Sequence, residues 1–121
     1  MIIAVTALGN DLNAALDPRF GRAQNFVLVD SDSGEILESI TNPNVAAGGG
    51  AGIATAQMIA NRGVKAIIAG SFGPNAFNVL NAAGIAMFSN AGLGSVKEAV
   101  DSFKSEKLQA ISNPGRGHMG M

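Results

Sequence analysis

The sequence has 121 residues, of which 47% are hydrophobic and 14% are charged, and its formal net charge is −1. This length and composition predict one globular domain with its own core, and the lack of clustered Lys and Arg argues against nucleic acid as a partner. No apolar run approaches the roughly 20 residues that span a bilayer, and the first residues lack a signal-peptide pattern, so we expect no membrane partner and a cytoplasmic location.

The first third of the chain is predicted to form strands. Short apolar segments rich in β-branched residues predict three of them, at Ile2–Ala7, Asn25–Asp30 and Ile36–Thr41. Residues 11–24 have little periodicity and contain a turn signal at Asp17 and Pro18, so they are predicted to be loop. The turn signal at 31–34 predicts that the second and third strands form an antiparallel hairpin.

A glycine-rich stretch at 42–53 precedes the first helical pattern. Its glycines are Gly48, Gly49, Gly50 and Gly52. Glycine costs more backbone entropy to order than any other residue. The cluster therefore indicates either an anion close to bare N–H groups at a helix N-terminus, or a flexible connection.

The rest of the chain alternates helices with strands. Apolar spacing predicts helices at 53–60, at 75–83 and from Ser95 to about residue 105, where Ser95 and Glu98 form a capping box. Further strands are predicted at Val64–Ala69 and 85–88. The order β-β-β-α-β-α-β-α predicts a mixed five-stranded α/β sheet with helices on both faces. We therefore predict a single domain at 1–110 and a flexible C-terminal tail at 111–121.

Glycine-containing loops at 42–53, 70–74 and 89–94 follow strands, so we expect them at the carboxyl edge of the sheet, where such folds bind ligands. No Asp or Glu lies between Ser39 and Lys97. An edge without carboxylates would accept an anion and would bind calcium or magnesium poorly. Burial of an apolar stretch would produce the same absence.

The residues present argue against several enzyme classes. No lysine follows the glycines as a P-loop requires, and no acid follows them to bind a ribose. The first strand carries no acid for a two-metal nuclease. Cysteine is absent, and Ser71 has only His118 as a possible base. These patterns argue against a P-loop or dinucleotide-binding enzyme, a two-metal nuclease and a hydrolase.

Two short motifs carry residues suited to binding. Arg19, Phe20, Gly21 and Arg22 lie just before a strand, where planar, weakly hydrated guanidinium groups would suit an anionic ligand. The alternative is a surface salt bridge from the arginines to Asp17 or Asp11.

The second motif lies in the tail, where His118, Met119 and Met121 offer an imidazole and two thioethers, which are ligands for Cu(I). The alternative is a disordered tail in which these residues have no role.

Several segments together resemble the dinitrogenase iron–molybdenum cofactor biosynthesis family. They are Arg-Phe-Gly-Arg-Ala at 19–23 with Phe26, the glycine-rich loop, and the segments 67–76, 80–85 and 96–100. The resemblance runs from Met1 to about Ala110. It implies a ribonuclease H-like, three-layer α/β/α fold with strand order 3-2-1-4-5 and strand 2 antiparallel.

The resemblance also implies non-catalytic, non-covalent binding of a metal–sulfide cluster, which in one branch of the family is a molybdenum–copper sulfide anion. The residues that it suggests for binding are Arg19, Phe20, Gly21, Arg22, Gly48, Gly49, Gly50, Gly52, Ser71, Phe72, Gly73 and Asn75. Many relatives carry histidine where this chain has Arg19. That departure favours a pre-formed thiometallate over an iron–molybdenum–sulfur precursor.

Three functions remain open from the sequence. The first is a carrier for a molybdenum-containing sulfide cluster, with possible protein partners in delivery or regulation. The second is a regulatory domain that binds a small anion or a phosphate-bearing ligand in the same crevice. The third is a module that acts only by binding other proteins.

Overall fold

The computed structural model describes residues 1–45 and 51–112, and its elements follow the predicted order. The described ranges contain β1 (Ile2–Ala7), β2 (Asn25–Asp30), β3 (Ile36–Thr41), α1 (Ala51–Ala60), β4 (Val64–Ala69), α2 (Pro74–Ala82), β5 (Ala86–Ser89) and α3 (Val96–Lys104).

The strands form one mixed sheet in the order β3-β2-β1-β4-β5. β2 lies antiparallel to both of its neighbours, β1 and β3. β4 lies parallel to β1 and to β5. The five-stranded α/β sheet with β2 antiparallel, and with it the ribonuclease H-like prediction, is therefore confirmed.

Helices cover both faces of the sheet because alternate side chains of each buried strand point in opposite directions. On one face the strands pack against α1 and α2, and the buried residues include Ala4, Phe26, Leu28, Ile67, Ile59 and Leu80. On the other face they pack against α3, and the buried residues include Ile3, Val5, Val27, Ile68, Val96 and Val100. Burying each large side chain contributes roughly 1.5–3 kcal/mol, so a slip in register by one residue would be costly.

Element boundaries differ from the predicted ones by one or two residues. α1 begins at Ala51, two residues before the predicted start, because Gly52 is helical although glycine is a poor helix former. β5 ends at Ser89 rather than at Phe88. At the C-terminal end, the Ile111 N–H donates to the Met87 carbonyl at 2.8 Å and its side chain packs on the core, so ordered contacts continue past residue 110.

The N-terminus of α3 is capped largely as predicted. The Ser95 hydroxyl accepts a hydrogen bond from the Glu98 N–H at 3.2 Å. The Glu98 carboxylate accepts from the N–H of Gly94 at 2.8 Å, one residue before the position of a standard capping box. No helix in the described ranges is long and apolar enough to cross a membrane.

Candidate functional site

A cavity of about 320 Å³ opens at the carboxyl edge of the sheet. β1, β3, β4 and β5 all end at this edge, and β2 begins there, because Asn25 pairs with both Ala7 and Thr41. The cavity is lined by Arg19, Phe20, Gly21, Arg22, Ala51, Gly52, Ile53, Ser71, Gly73, Pro74, Asn75 and Ala76.

The structure brings eight of the predicted binding residues together around this cavity. They are Arg19, Phe20, Gly21, Arg22, Gly52, Ser71, Gly73 and Asn75. Phe72 is not among the lining residues. Gly48, Gly49, Gly50, His118, Met119 and Met121 lie outside the described residues.

Sequence reasoning missed four lining residues, Ala51, Ile53, Pro74 and Ala76. All four belong to the first turns of α1 and α2. The available signal was their position directly after the glycine-rich stretch and the 70–74 turn. Because their side chains are apolar or small, nothing in their chemistry marked them as binding residues.

The two phenylalanines of the predicted site belong to the hydrophobic core, and Phe20 also lines the cavity. The Phe20 and Phe72 rings lie 5.3 Å apart, and Phe20 makes an edge-to-face contact with Phe26 at 5.5 Å. Phe20 and Phe72 are each only 1% exposed. Packing on α1, α2 and the sheet thus anchors the arginine-containing loop and the 70–74 turn to the same core.

Asp17 organises the loop that carries both arginines. Its carboxylate is fully buried and accepts hydrogen bonds from the Arg19 N–H, Nε–H and Nη2–H and from the Gln24 N–H, at 3.0–3.1 Å. Its backbone carbonyl accepts from the Thr6 hydroxyl at 2.6 Å and from the Asn90 side-chain amide at 3.2 Å. Asp17 therefore ties the loop to β1 and to the turn after β5. The 89–94 turn shares the edge, as predicted, but does not line the cavity.

Arg19 forms the salt bridge to Asp17 that the alternative explanation predicted, but the carboxylate is buried rather than at the surface, and Arg19 also lines the cavity. The Arg19 side chain is 50% exposed while that of Asp17 is 0% exposed. Burial by itself would raise the pKa of Asp17. Hydrogen bonds from the Arg19 side chain and from the N–H groups of Arg19 and Gln24, together with the Arg19 charge, outweigh burial and lower that pKa below its usual value.

The next residue, Pro18, joins the loop to the end of β4. The Ser71 N–H donates to the Pro18 carbonyl at 2.8 Å. A Cβ at Gly70 would lie 2.5 Å from that carbonyl oxygen and 2.9 Å from the Pro18 Cα. Only glycine fits at position 70, and its lack of a side chain lets the loop lie directly on the end of β4.

A second close approach joins the loop to α1. A Cβ at Gly21 would lie 3.0 Å from the Gly52 Cα. The Gly21 carbonyl accepts hydrogen bonds from the Thr55 hydroxyl and from the Asn42 side-chain amide, each at 3.1 Å. Arg22 also bonds to the chain beyond β3, through Nη1 to the Val45 carbonyl at 2.9 Å. The first turn of α1 and the loop therefore form one wall of the cavity.

The N-termini of α1 and α2 both lie at the cavity. α2 begins at Pro74, and its N-cap residue, Gly73, makes no side-chain hydrogen bond to the first N–H groups of the helix. Helix N-termini carry partial positive charge, and guanidinium groups carry full charge. The lining residues include no carboxylate, and no group of three or more His, Asp or Glu side chains able to hold a metal ion occurs in the described ranges. The arrangement offers N–H donors to an anion.

A larger groove of about 600 Å³ lies elsewhere, beside α3. Ser31 and Asp32, which line it, follow β2 at the opposite edge of the sheet. The groove combines an aromatic pair, Phe88 and Phe103, with charges of both signs. None of the predicted binding residues lines it, so size alone does not make it the candidate site.

Residues 1–106, which include every residue that lines the cavity, match the protein family described as "Dinitrogenase iron-molybdenum cofactor". An uncharacterized protein from Methanocaldococcus jannaschii, MJ0580, is 37% identical over 99 residues, which cover 80% of this chain and 83% of that protein.

Two solved structures are also similar to this chain. The apo form of the orange protein from Desulfovibrio gigas is 37% identical with a TM-score of 0.89, over 95% of this chain and 96% of that one. The NMR structure of a putative NifB protein from Thermotoga is 33% identical with a TM-score of 0.82, over 97% of this chain and 98% of that one. In both cases the likeness spans nearly the whole of each chain.

Proposed function

The chain belongs to the dinitrogenase iron-molybdenum cofactor family, and we propose that it is a non-catalytic carrier for a molybdenum-containing metal–sulfide cluster. The cluster is its cargo and binds non-covalently in the cavity at the carboxyl edge of the sheet. One observation carries the proposal: Arg19, Arg22 and the N-termini of two helices meet at a cavity whose lining has no carboxylate. Each of these groups favours an anion over a neutral or cationic ligand.

A molybdenum–copper sulfide anion is the cargo that these donors fit best. A guanidinium has N–H donors and no lone pair to offer a metal. Arg19, which stands where many relatives carry histidine, is therefore suited to the sulfur atoms of a pre-formed thiometallate rather than to direct ligation of iron. An iron–molybdenum–sulfur precursor remains the alternative cargo within the same family.

A carrier receives its cargo and passes it on, so the proposal includes protein partners for delivery. Ile53 of α1 and Asn75 of α2 line the cavity and are exposed, and Gly52 beside them is partly exposed. A donor or acceptor protein would approach the cluster across these uncharged residues.

The test is cluster reconstitution. We expect protein incubated with tetrathiomolybdate and copper, then separated by gel filtration, to retain both metals and to develop charge-transfer bands in the visible spectrum. Arg19→Ala and Arg22→Ala should each lower retention by about tenfold, since a charge-assisted hydrogen bond contributes about 1.5–3 kcal/mol. Mass spectrometry of the eluted protein gives the metal ratio.

Arg62→Ala is the matched control for these variants. It also removes one guanidinium, but Arg62 pairs with Glu38 beyond the C-terminal end of α1, about 15 Å from the cavity by the length of that helix. Arg62→Ala should retain the metals as the unaltered protein does. Absence of bands and of bound metal in the unaltered protein would contradict the carrier function.

The second candidate function, a regulatory domain for a phosphate-bearing ligand, rests on the same N–H donors, since helix N-termini also bind phosphate. Inorganic phosphate added to the reconstitution separates the two. Phosphate that binds to a protein which retains no metal and develops no bands would favour the regulatory domain.

The tail residues His118, Met119 and Met121 enter the proposal as copper ligands. The last described segment runs antiparallel to β5, away from the cavity edge, because Gln109 bonds to Ser89 and Ile111 bonds to Met87. The tail would have to turn back to reach the cluster. A variant lacking residues 115–121 belongs in the same assay, and a loss confined to copper is the expected result. Full copper retention would remove the tail from the site.

A further inference from the structure

Asp17 holds the guanidinium of Arg19 by one of its edges. Nε and Nη2 donate to the two carboxylate oxygens at 3.0 and 3.1 Å. The pair uses two N–H groups of the guanidinium, and the side chain of Arg19 is half exposed at the cavity. The remaining N–H groups are held in a fixed plane, because a two-point contact leaves a planar fork little freedom to rotate.

Asp17 is in turn fixed by the fold. Its N–H donates to the Thr6 carbonyl at 3.1 Å, and its own carbonyl accepts from Thr6 and from Asn90. Thr6 belongs to β1, the central strand of the sheet. Arg19 is therefore linked through Asp17 to the central strand of the sheet.

We propose that Asp17 is a positioning residue for anion binding: it orients Arg19 toward the cavity and does not itself touch the cargo. The inference rests on the proposed function and adds how the site achieves selectivity. Because the carboxylate offsets the arginine charge, Arg19 acts as an oriented set of N–H donors rather than as a free positive charge. Such a donor set selects ligands by shape and by the positions of their acceptor atoms more than by their charge.

Two explanations of Arg19 predict opposite effects for Asp17→Asn. This substitution removes a negative charge from beside the cavity, so attraction by net charge alone would tighten binding of an anion. Orientation by Asp17 predicts weaker binding, because the amide cannot accept the same fork of hydrogen bonds. The sign of the change therefore distinguishes the two.

The experiment titrates tetrathiomolybdate alone into the full-length protein and measures its dissociation constant from the visible spectrum. We expect Asp17→Asn to raise the dissociation constant about tenfold or more, the equivalent of losing one charge-assisted hydrogen bond. Equal or tighter binding by folded Asp17→Asn protein would overturn the proposal.

Arg19→Lys tests the proposal in a protein that keeps the Asp17 carboxylate. It keeps the positive charge and the backbone N–H that donates to Asp17, but it loses the planar fork. We expect its dissociation constant to lie within about threefold of that of Arg19→Ala. Binding like that of the unaltered protein would overturn the proposal, even if Asp17→Asn fails to fold.

A double-variant cycle separates positioning from a general structural role. If Asp17 acts through Arg19, adding Asp17→Asn to Arg19→Ala should weaken binding no further. A loss that persists in the Arg19→Ala background would assign Asp17 to the fold rather than to the site. Failure of the unaltered protein to bind tetrathiomolybdate would contradict the carrier function itself. If the unaltered protein binds and neither Asp17→Asn nor Arg19→Lys changes the dissociation constant, only the positioning role of Asp17 is contradicted.

Discussion

At the scale of single residues, the two explanations for the arginine-containing loop turn out to be compatible. Arg19 makes the salt bridge to Asp17 that spacing alone favoured, and it also lines the cavity. The residue that sequence reasoning undervalued is Asp17. Its carboxylate is buried and accepts four hydrogen bonds, but in the sequence it cannot be distinguished from the Asp of an ordinary Asp-Pro turn. Its role depends on where Thr6 and Asn90 lie, which spacing does not reveal.

The buried carboxylate predicts a particular dependence of stability on pH. The pKa of Asp17 is lowered in the folded state, so its contribution is fully present above its ordinary pKa of about 4 and is lost as the pH falls through the folded value. We expect Asp17→Asn to lower the free energy of unfolding by about 2–4 kcal/mol at pH 7. The difference from the unaltered protein should shrink below about pH 4. Urea denaturation between pH 7 and pH 2.5 measures it.

Asp30→Asn serves as the comparison for this pH series. The pKa of Asp30 is also lowered, chiefly by the N–H of Asp32, but Asp30 is partly exposed, so solvent screens its interactions. Its substitution should have a smaller effect at every pH. A pH-independent difference for Asp17→Asn would contradict the assignment of a lowered pKa.

At the scale of elements, the way α3 ends illustrates a conflict between sequence and conformation. The Lys107 N–H bonds to the Ser102 carbonyl and the Glu106 N–H bonds to the Phe103 carbonyl, which is the Schellman pattern. Glu106 occupies its left-handed position with φ of 58°, where glycine is favoured. The helix therefore stops by hydrogen bonding despite an unsuitable residue.

Replacing that residue should stabilise the protein. Glu106→Gly relieves the left-handed strain, partly offset by the greater freedom of glycine in the unfolded chain, and we expect the free energy of unfolding to rise by about 1 kcal/mol. Thermal and urea denaturation measure the change. Ser105→Gly is the matched control, because Ser105 has φ of −87° and no such strain. It should be neutral or destabilising, and a gain equal to that of Glu106→Gly would refute the explanation.

At the scale of the whole molecule, the walls of the cavity are built from segments that are far apart in sequence and pack closely against one another. Pro18 lies on Gly70, and Gly21 lies on Gly52. Neither contact leaves a mark in the local pattern of either segment. Gly70 and Gly21 are needed because a Cβ would collide with the neighbouring segment, and not because their φ angles are positive.

The contact of Pro18 with Gly70 predicts a large effect for a single methyl group. Gly70→Ala would place Cβ 2.5 Å from a backbone oxygen, so we expect a loss of about 2–3 kcal/mol in stability and weaker retention of cargo, because the loop that carries Arg19 must move. Gly73→Ala is the control, since nothing lies within 4 Å of its Cβ and its φ is −68°. Gly73 is the N-cap residue of α2, where alanine is less favourable than glycine, so the stability of this variant should fall by only about 0.5–1 kcal/mol. Because Gly73 itself lines the cavity, the comparison concerns stability alone, and equal losses of stability in the two variants would contradict the packing explanation.

The sequence by itself determined the order of strands and helices, most of their boundaries and the edge of the sheet where the candidate cavity opens. Hydrophobic periodicity and turn residues encode these features locally, and the pattern of a hairpin followed by alternating helices leaves few topologies open. The resemblance of its motifs to a family supplied the strand order and the set of candidate binding residues, eight of which meet at one cavity.

Only the tertiary structure decided which of those residues face the cavity and which belong to the core. Phe72 was expected to bind and packs against Phe20 instead, because a large apolar side chain next to the sheet is more stable buried. Asp17 was predicted to lie in a turn, with a surface salt bridge to the arginines as one possibility, and it proves to be a buried carboxylate that accepts two hydrogen bonds from the Arg19 guanidinium. Both outcomes depend on distances between segments that are remote in sequence, and burial and hydrogen bonding act through those distances rather than through sequence spacing.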